Sequence, residues 1–118
     1  MRAQTIKFLR ALEDLDEALE RDLEVIARMR ERIDYLRAQL AAGRSLTDIV
    51  TAERPPLLVQ QLTESANLLH TYGTRVRRTE AQALHQEGVT MEEIARLFGV
   101  SRQRVSALLR DAAGQPDR

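Results

Sequence analysis

Residues 90–110 read TMEEIARLFGVSRQRVSALLR, and this stretch decides what the chain folds into. Thr90 is a good N-cap, and Glu92 and Glu93 fall in the first turn, where a helix dipole favours carboxylates. Glu93, three residues after Thr90, completes a capping box. Ile94, Leu97 and Phe98 make an apolar face, while Ala95 leaves room for a close helix crossing. Gly99 stands where the chain must turn sharply, a task for a residue that tolerates positive φ. Ser101 then caps a second short helix. With its Val105, Leu108 and Leu109 facing inward, Arg102, Gln103, Ser106 and Arg110 point away from the core.

Upstream, residues 79–86 form a helix ending at Gly88 and supply the first element of a trihelical module over 77–112. Residues 57–76 read as a second scaffold helix. Its stripe of Leu58, Leu62, Ser65, Leu69, Tyr72 and Val76 alternates spacings of four and three. Gly73 either breaks that helix or allows close approach, and the sequence leaves both open. Residues 43–56 are a connector in which Ser45 and Asp48 cap a short helix through Ala52. Pro55 and Pro56 end that helix and can open the next. Residues 113–118 read as a flexible tail.

Residues 1–42 contain no Gly or Pro. Leu12, Leu19, Ile26, Ile33 and Leu40 are spaced by seven, and Phe8, Leu15, Met29 and Leu36 follow the complementary offset, broken only by Asp22. Assigned to a and d positions, they describe a coiled-coil seam on one long amphipathic helix. Such a helix does not bury its stripe alone, so it packs on another helix or another chain. Leu9, Ala11, Ala18, Leu23 and Val25 widen the stripe in its first half, as contact with more than one helix requires. Dimerisation is the expected use, and an intramolecular hairpin is the alternative. The fold class is all-α: a long N-terminal heptad helix plus a C-terminal trihelical module.

Composition removes several functional classes. The chain of 118 residues has 18 basic and 18 acidic side chains and no cysteine. Neither a disulfide framework nor a thiolate zinc site is possible. No apolar run approaches the roughly 18 residues of a membrane span, and the first ten residues lack the apolar block of a secretory signal. His70 and His85 have no ligand-like neighbours one turn away. No Gly-rich phosphate loop, Ser-His-Asp set or carboxylate pair can be assembled. No metal, cofactor or catalytic residue is expected, and the chain is read as a cytoplasmic protein that is not an enzyme.

The pattern Glu-Glu-Ile-Ala-x-x-Phe-Gly-Val-Ser-Arg-x-Arg-Val over 92–105 resembles a helix-turn-helix DNA-binding motif. It is most similar to the promoter-reading region 4 of bacterial sigma factors. Small Ala95, turn Gly99, and Val100, Val105 and Leu108 as buried positions match that family. The resemblance implies that the second helix enters the major groove of double-stranded DNA. It places Arg102, Gln103 and Ser106 at base edges, and Ser101, Arg104 and Arg110 on phosphates. Arg75, Arg77 and Arg78 either contact flanking phosphate or form ion pairs on their own helix. No counterpart of the sigma core-promoter region is present, so a complete promoter-recognition factor is not implied.

A neutral chain does not exclude such a partner. Residues 74–118 carry 8 basic and 6 acidic groups, against 8 and 9 in residues 1–42 and 2 and 3 in residues 43–73. The expected protein is a homodimeric, nucleoid-associated bacterial transcriptional regulator with sequence-specific DNA binding. Two alternatives stand beside it: an adaptor docking on RNA polymerase, and an architectural nucleoid protein.

Overall fold

A computed structural model describes residues 1–114, and within them the chain is helical without strands. Five helices follow in order: α1 Ala3–Ala41, α2 Leu46–Ala52, α3 Leu58–Gln86, α4 Met91–Phe98 and α5 Arg102–Gly114. The all-α class is borne out, with the long N-terminal helix followed by a helix-turn-helix region. The expected division at residue 76 is no backbone break, because α3 runs straight through Gly73. Glycine costs a helix interior only about 1 kcal/mol, and here the Arg77 side chain lies 3.6 Å from where its Cβ would stand. Helix α5 likewise extends to Gly114, into the stretch read as a tail, and residues 115–118 of that stretch lie outside the described residues.

The ends of these helices follow local chemistry. Ser45 Oγ accepts from the Asp48 amide at 3.1 Å and starts α2. At the start of α3 the Gln60 side chain reaches back and accepts from the Leu57 amide at 2.6 Å, which satisfies a donor with no helical partner. Proline at 55 and 56 precedes this cap and offers no amide to be satisfied.

The chain divides into two compact units, one of Met1–Asp16 with the chain from Thr71 onward, the other Glu17–His70. In the first unit the Arg2 guanidinium donates to the Gln86 carbonyl at 2.7 Å, and Arg75 pairs with Asp14. Numbering rises along α1 as it falls along α3, so the two run antiparallel. In the second unit Ser65 Oγ donates to Asp22 Oδ2 at 2.9 Å, and Arg32 pairs with Glu53 at 3.0 Å. Ile49 of α2 is fully buried there, as are Ala18 and Val25 of α1.

The seam differs from the heptad reading. Ala11, Ala18, Asp22 and Val25 are the buried residues of α1, with Phe8, Leu15, Met29 and Leu36 half-buried beside them. The d series therefore faces inward. The a series does not: Leu12, Leu19, Ile26, Ile33 and Leu40 are all exposed. On α3 the inward set is Gln61, Ser65, Leu68 and Tyr72, and Leu62 and Leu69 are exposed instead. Alanine at 11 and 18 lets a neighbouring backbone approach, and the large residues of the a series are turned to the flank. Asp22 breaks the apolar series because it meets Ser65.

Asp22 is buried, and its Oδ1 has no partner. Removing the hydroxyl with Ser65→Ala should cost about 1–3 kcal/mol in urea denaturation, because a buried carboxylate then loses its hydrogen bond. The double change Ser65→Ala with Asp22→Leu should recover most of that loss.

Candidate nucleic-acid interface

The unit from Thr71 onward is organised around Ala81, Ile94, Ala95, Val105 and Leu108, with Leu84, Val89, Met91, Phe98 and Leu109 packed against them. Ile94 and Val105 are 0% exposed. Met91, Ile94, Ala95 and Phe98 lie at i, i+3, i+4 and i+7, so α4 presents one narrow stripe to α3 and α5. Leu97 falls off that stripe and is 55% exposed, contrary to its assignment to the apolar face. Val100, read as buried, is exposed as well, because it follows the turn and is not yet helical.

Thr90 Oγ1 accepts from the Glu93 amide at 3.2 Å, which forms one arm of the capping box. The other arm is not made. The Glu93 carboxylate instead takes the Arg96 guanidinium, with Nε donating at 3.0 Å. That hydrogen bond holds the Glu93 carboxyl below its ordinary range.

Gly99 ends α4 at φ 66°, ψ 34°, in the left-handed region. Its amide donates to the Arg96 carbonyl at 3.3 Å, and that of Val100 to Ala95 at 3.0 Å. This pair of bonds satisfies the last carbonyls and reverses the chain within three residues. Ser101 Oγ then accepts from the Arg104 amide at 3.1 Å and opens α5. The separation between α4 and α5 is thus fixed by a backbone conformation that a side chain disfavours.

A step of about 100° per residue puts Arg102, Gln103, Ser106 and Arg110 within one outward arc of α5. Arg102, Gln103 and Arg110 are exposed and Ser106 is half-buried. Arg102 Nε lies 3.3 Å from Glu92 Oε1, an ion pair across the turn with both side chains 65% exposed. Glu92 was read from sequence only as a dipole residue. Its contact with Arg102 joins two helices, and no local spacing rule encodes it. Ser101 serves the cap through its oxygen lone pair, so its hydroxyl proton stays available to donate.

The basic candidates separate into two groups. Arg104 sits on the other flank of α5 and meets Arg77 in a shallow cleft of about 150 Å³, lined also by Glu80, Phe98, Val100 and Leu108. The structure therefore brings Arg77 and Arg104 together from α3 and α5. Arg75 is instead drawn into the packing, with a side chain only 12% exposed and paired with Asp14. Arg78 is half-buried on the same helix.

Among the described residues, no cluster of His, Cys, Asp and Glu is arranged to hold a metal ion, and no helix is long and apolar enough to cross a membrane. The geometry of three short-range packed helices with a glycine turn before an exposed helix defines a helix-turn-helix. Residues 72–117 match a family model described as a homeodomain-like domain. That match supports a helix-turn-helix DNA-binding motif, and it begins one residue after the contact-defined boundary at Thr71. No curated protein and no solved structure matches the chain.

Gly99→Ala should destabilise the protein by about 1–2 kcal/mol in chemical denaturation, because the left-handed conformation penalises a Cβ. In a carboxyl NMR titration Glu93 should titrate below the ordinary glutamate range, and Arg96→Gln should return it to that range. Its contribution to stability is present above the ordinary glutamate pKa and fades as pH falls through the lowered one.

Proposed function

We propose that the chain is a sequence-specific, double-stranded-DNA-binding regulator of transcription, which acts as a homodimer and inserts α5 into the major groove. The observation that carries the reading is the outward arc of Arg102, Gln103 and Ser106 immediately after the Gly99 turn. Arginine donates bidentately to guanine O6 and N7, and glutamine pairs with adenine N6 and N7. The N-terminal turn of α5 is the part of such a helix that meets base edges. Arg110 lies further along the same arc, and Arg77 and Arg104 meet on the other flank of α5, so these three are assigned to phosphates. Ser101 and the free amides of the α5 N-terminus join them. Arg78 is a flanking phosphate contact only if its half-buried side chain turns outward, and Arg75 stays with Asp14 as a packing residue.

The Glu92 carboxylate holds Arg102 in the free protein, and a guanine replaces it on binding. Such an exchange discriminates, because a wrong base offers no compensation for the lost pair. The protein acts by binding and not by catalysis. The similarity of 92–105 to sigma region 4 supports a bacterial regulator working at the nucleoid in the cytoplasm. Since a single helix-turn-helix contacts little DNA, two copies on paired half-sites supply the affinity that a neutral chain does not gain from bulk charge.

The test is a selection of bound sequences from random duplexes, followed by titration of the selected site against scrambled DNA. A defined motif is expected. Arg102→Ala with Gln103→Ala should abolish the preference, each substitution costing about 1–3 kcal/mol at its own base position, with the circular dichroism unchanged. Comparable affinity for unrelated duplexes, falling steeply with salt, would replace this reading with an architectural binder.

A further inference from the structure

Within residues 17–70 the hairpin of α1 and α3 has two unlike sides. The inward residues of α1 include Ala18, Asp22, Val25 and Arg32. One residue beyond the inward positions come Leu19, Leu23, Ile26, Ile33 and Leu40, all exposed, Leu23 at 61%. On α3 the residues one beyond Leu58, Gln61 and Leu68 are Val59, Leu62 and Leu69, which are exposed too, Leu62 at 53%. A step of one residue turns about 100° around a right-handed helix. In an antiparallel pair the same step turns both helices toward the same side, since one is viewed from its N-terminus and the other from its C-terminus. These eight side chains therefore share one face, two helices wide. One residue before the inward positions, on the opposite side, stand Glu17, Glu24, Arg28 and Glu31 with Gln60, Glu64 and Asn67. That side suits water, and the first does not.

The apolar face runs ~32 Å from Leu19 to Leu40 at about 1.5 Å per residue. Two helices with axes about 8–10 Å apart make it on the order of 600 Å². A protomer in a stable dimer commits about 800 Å², so the face is close to interface size and at the upper limit for a bare monomer surface. Its large residues at 19, 26, 33 and 40 keep a seven-residue spacing, which matches a partner helix of the same repeat.

Charge selects the orientation. Glu20 borders the N-terminal half of this face, while Arg30 and Arg37 stand in the stripe of the α1 segment, Arg37 in its C-terminal half. A parallel copy would set Arg30 against Arg30 and Arg37 against Arg37 across the symmetry axis. An antiparallel copy instead sets Arg37 beside Glu20 of its partner and leaves Arg30 near the midpoint of the face. We propose that a second copy of this chain covers the face, with the two α1 helices antiparallel, to form a four-helix bundle. This rests on the homodimeric reading above and names the surface and direction it uses.

Sedimentation velocity of the full chain at micromolar concentration, without DNA, should give a dimer. Ile26→Glu with Ile33→Glu should give a monomer of unchanged helical circular dichroism, because both side chains are exposed in the protomer. Arg37→Glu should weaken the dimer at least tenfold, and adding Glu20→Arg should restore it. The chain has no cysteine, so introduced thiols report alone. Chains with Glu20→Cys should cross-link to chains with Arg37→Cys, whereas Arg37→Cys alone should not cross-link to itself. A monomeric wild type overturns the proposal together with the homodimer. A dimer that survives the Ile26 and Ile33 changes, or an efficient Arg37→Cys self cross-link, overturns the face or its direction and leaves the homodimer standing. DNA discrimination, measured with Arg102 and Gln103, is independent of each result.

Discussion

A helix can turn only one stripe toward one neighbour, and α1 carries two apolar stripes. The architecture follows from how that conflict is resolved. The stripe that packs on α3 sets Ala11, Ala18, Asp22 and Val25 beside the half-buried Phe8, Leu15, Met29 and Leu36. Close approach favours it, because alanine admits a neighbouring backbone that leucine holds away. Polar pairs join α1 to α3, Asp22 with Ser65 and Asp14 with Arg75. Such pairs add little net stability once desolvation is counted, but they fix register, since slipping the helices leaves each charge buried alone.

The same helix that answers α1 also supplies the first element of the reading module. Thr79 is fully buried on α3 and donates its hydroxyl to the Arg75 carbonyl, which lets a polar residue sit in the core. Ala81 lies at the centre of the cluster that holds α4 and α5. The two short helices supply most of that core, with Ile94, Ala95 and Phe98 from α4 and Val105 and Leu108 from α5, and their relative placement depends on Gly99 and the carbonyls satisfied at the turn. Rigid presentation of Arg102 and Gln103 thus depends on a backbone turn and on an apolar core shared by three helices.

Electrostatics in this chain are arranged locally. With 18 basic and 18 acidic groups, long-range steering toward a polyanion is weak. What the fold does instead is sort arginines. Arg75 is paired with Asp14 and Arg32 with Glu53 in partly buried positions, while Arg102, held by Glu92, stays with Arg104 and Arg110 on the surface of one helix. In the function proposed above, affinity would come from geometry and from pairing of copies, with a correspondingly modest salt dependence.

The helix-turn-helix was legible in the residues because its signals are local: Thr90 and Ser101 as caps, Gly99 as the left-handed turn, Val105 and Leu108 at helical spacing. Each acts within a few residues of its own position, so sequence order suffices to read it. The long first helix and the outward arc of α5 were legible for the same reason. Sequence did not reveal which of the two stripes of α1 would be used, since both have a seven-residue period and only contact with α3 distinguishes them. Nor did it reveal that α3 continues through Gly73, that Glu92 reaches Arg102, or that Arg75 and Arg104 part company. Those outcomes depend on side chains brought together from distant segments. Periodicity determined that α1 needs partners; tertiary packing decided which face the chain satisfies itself and which it leaves open.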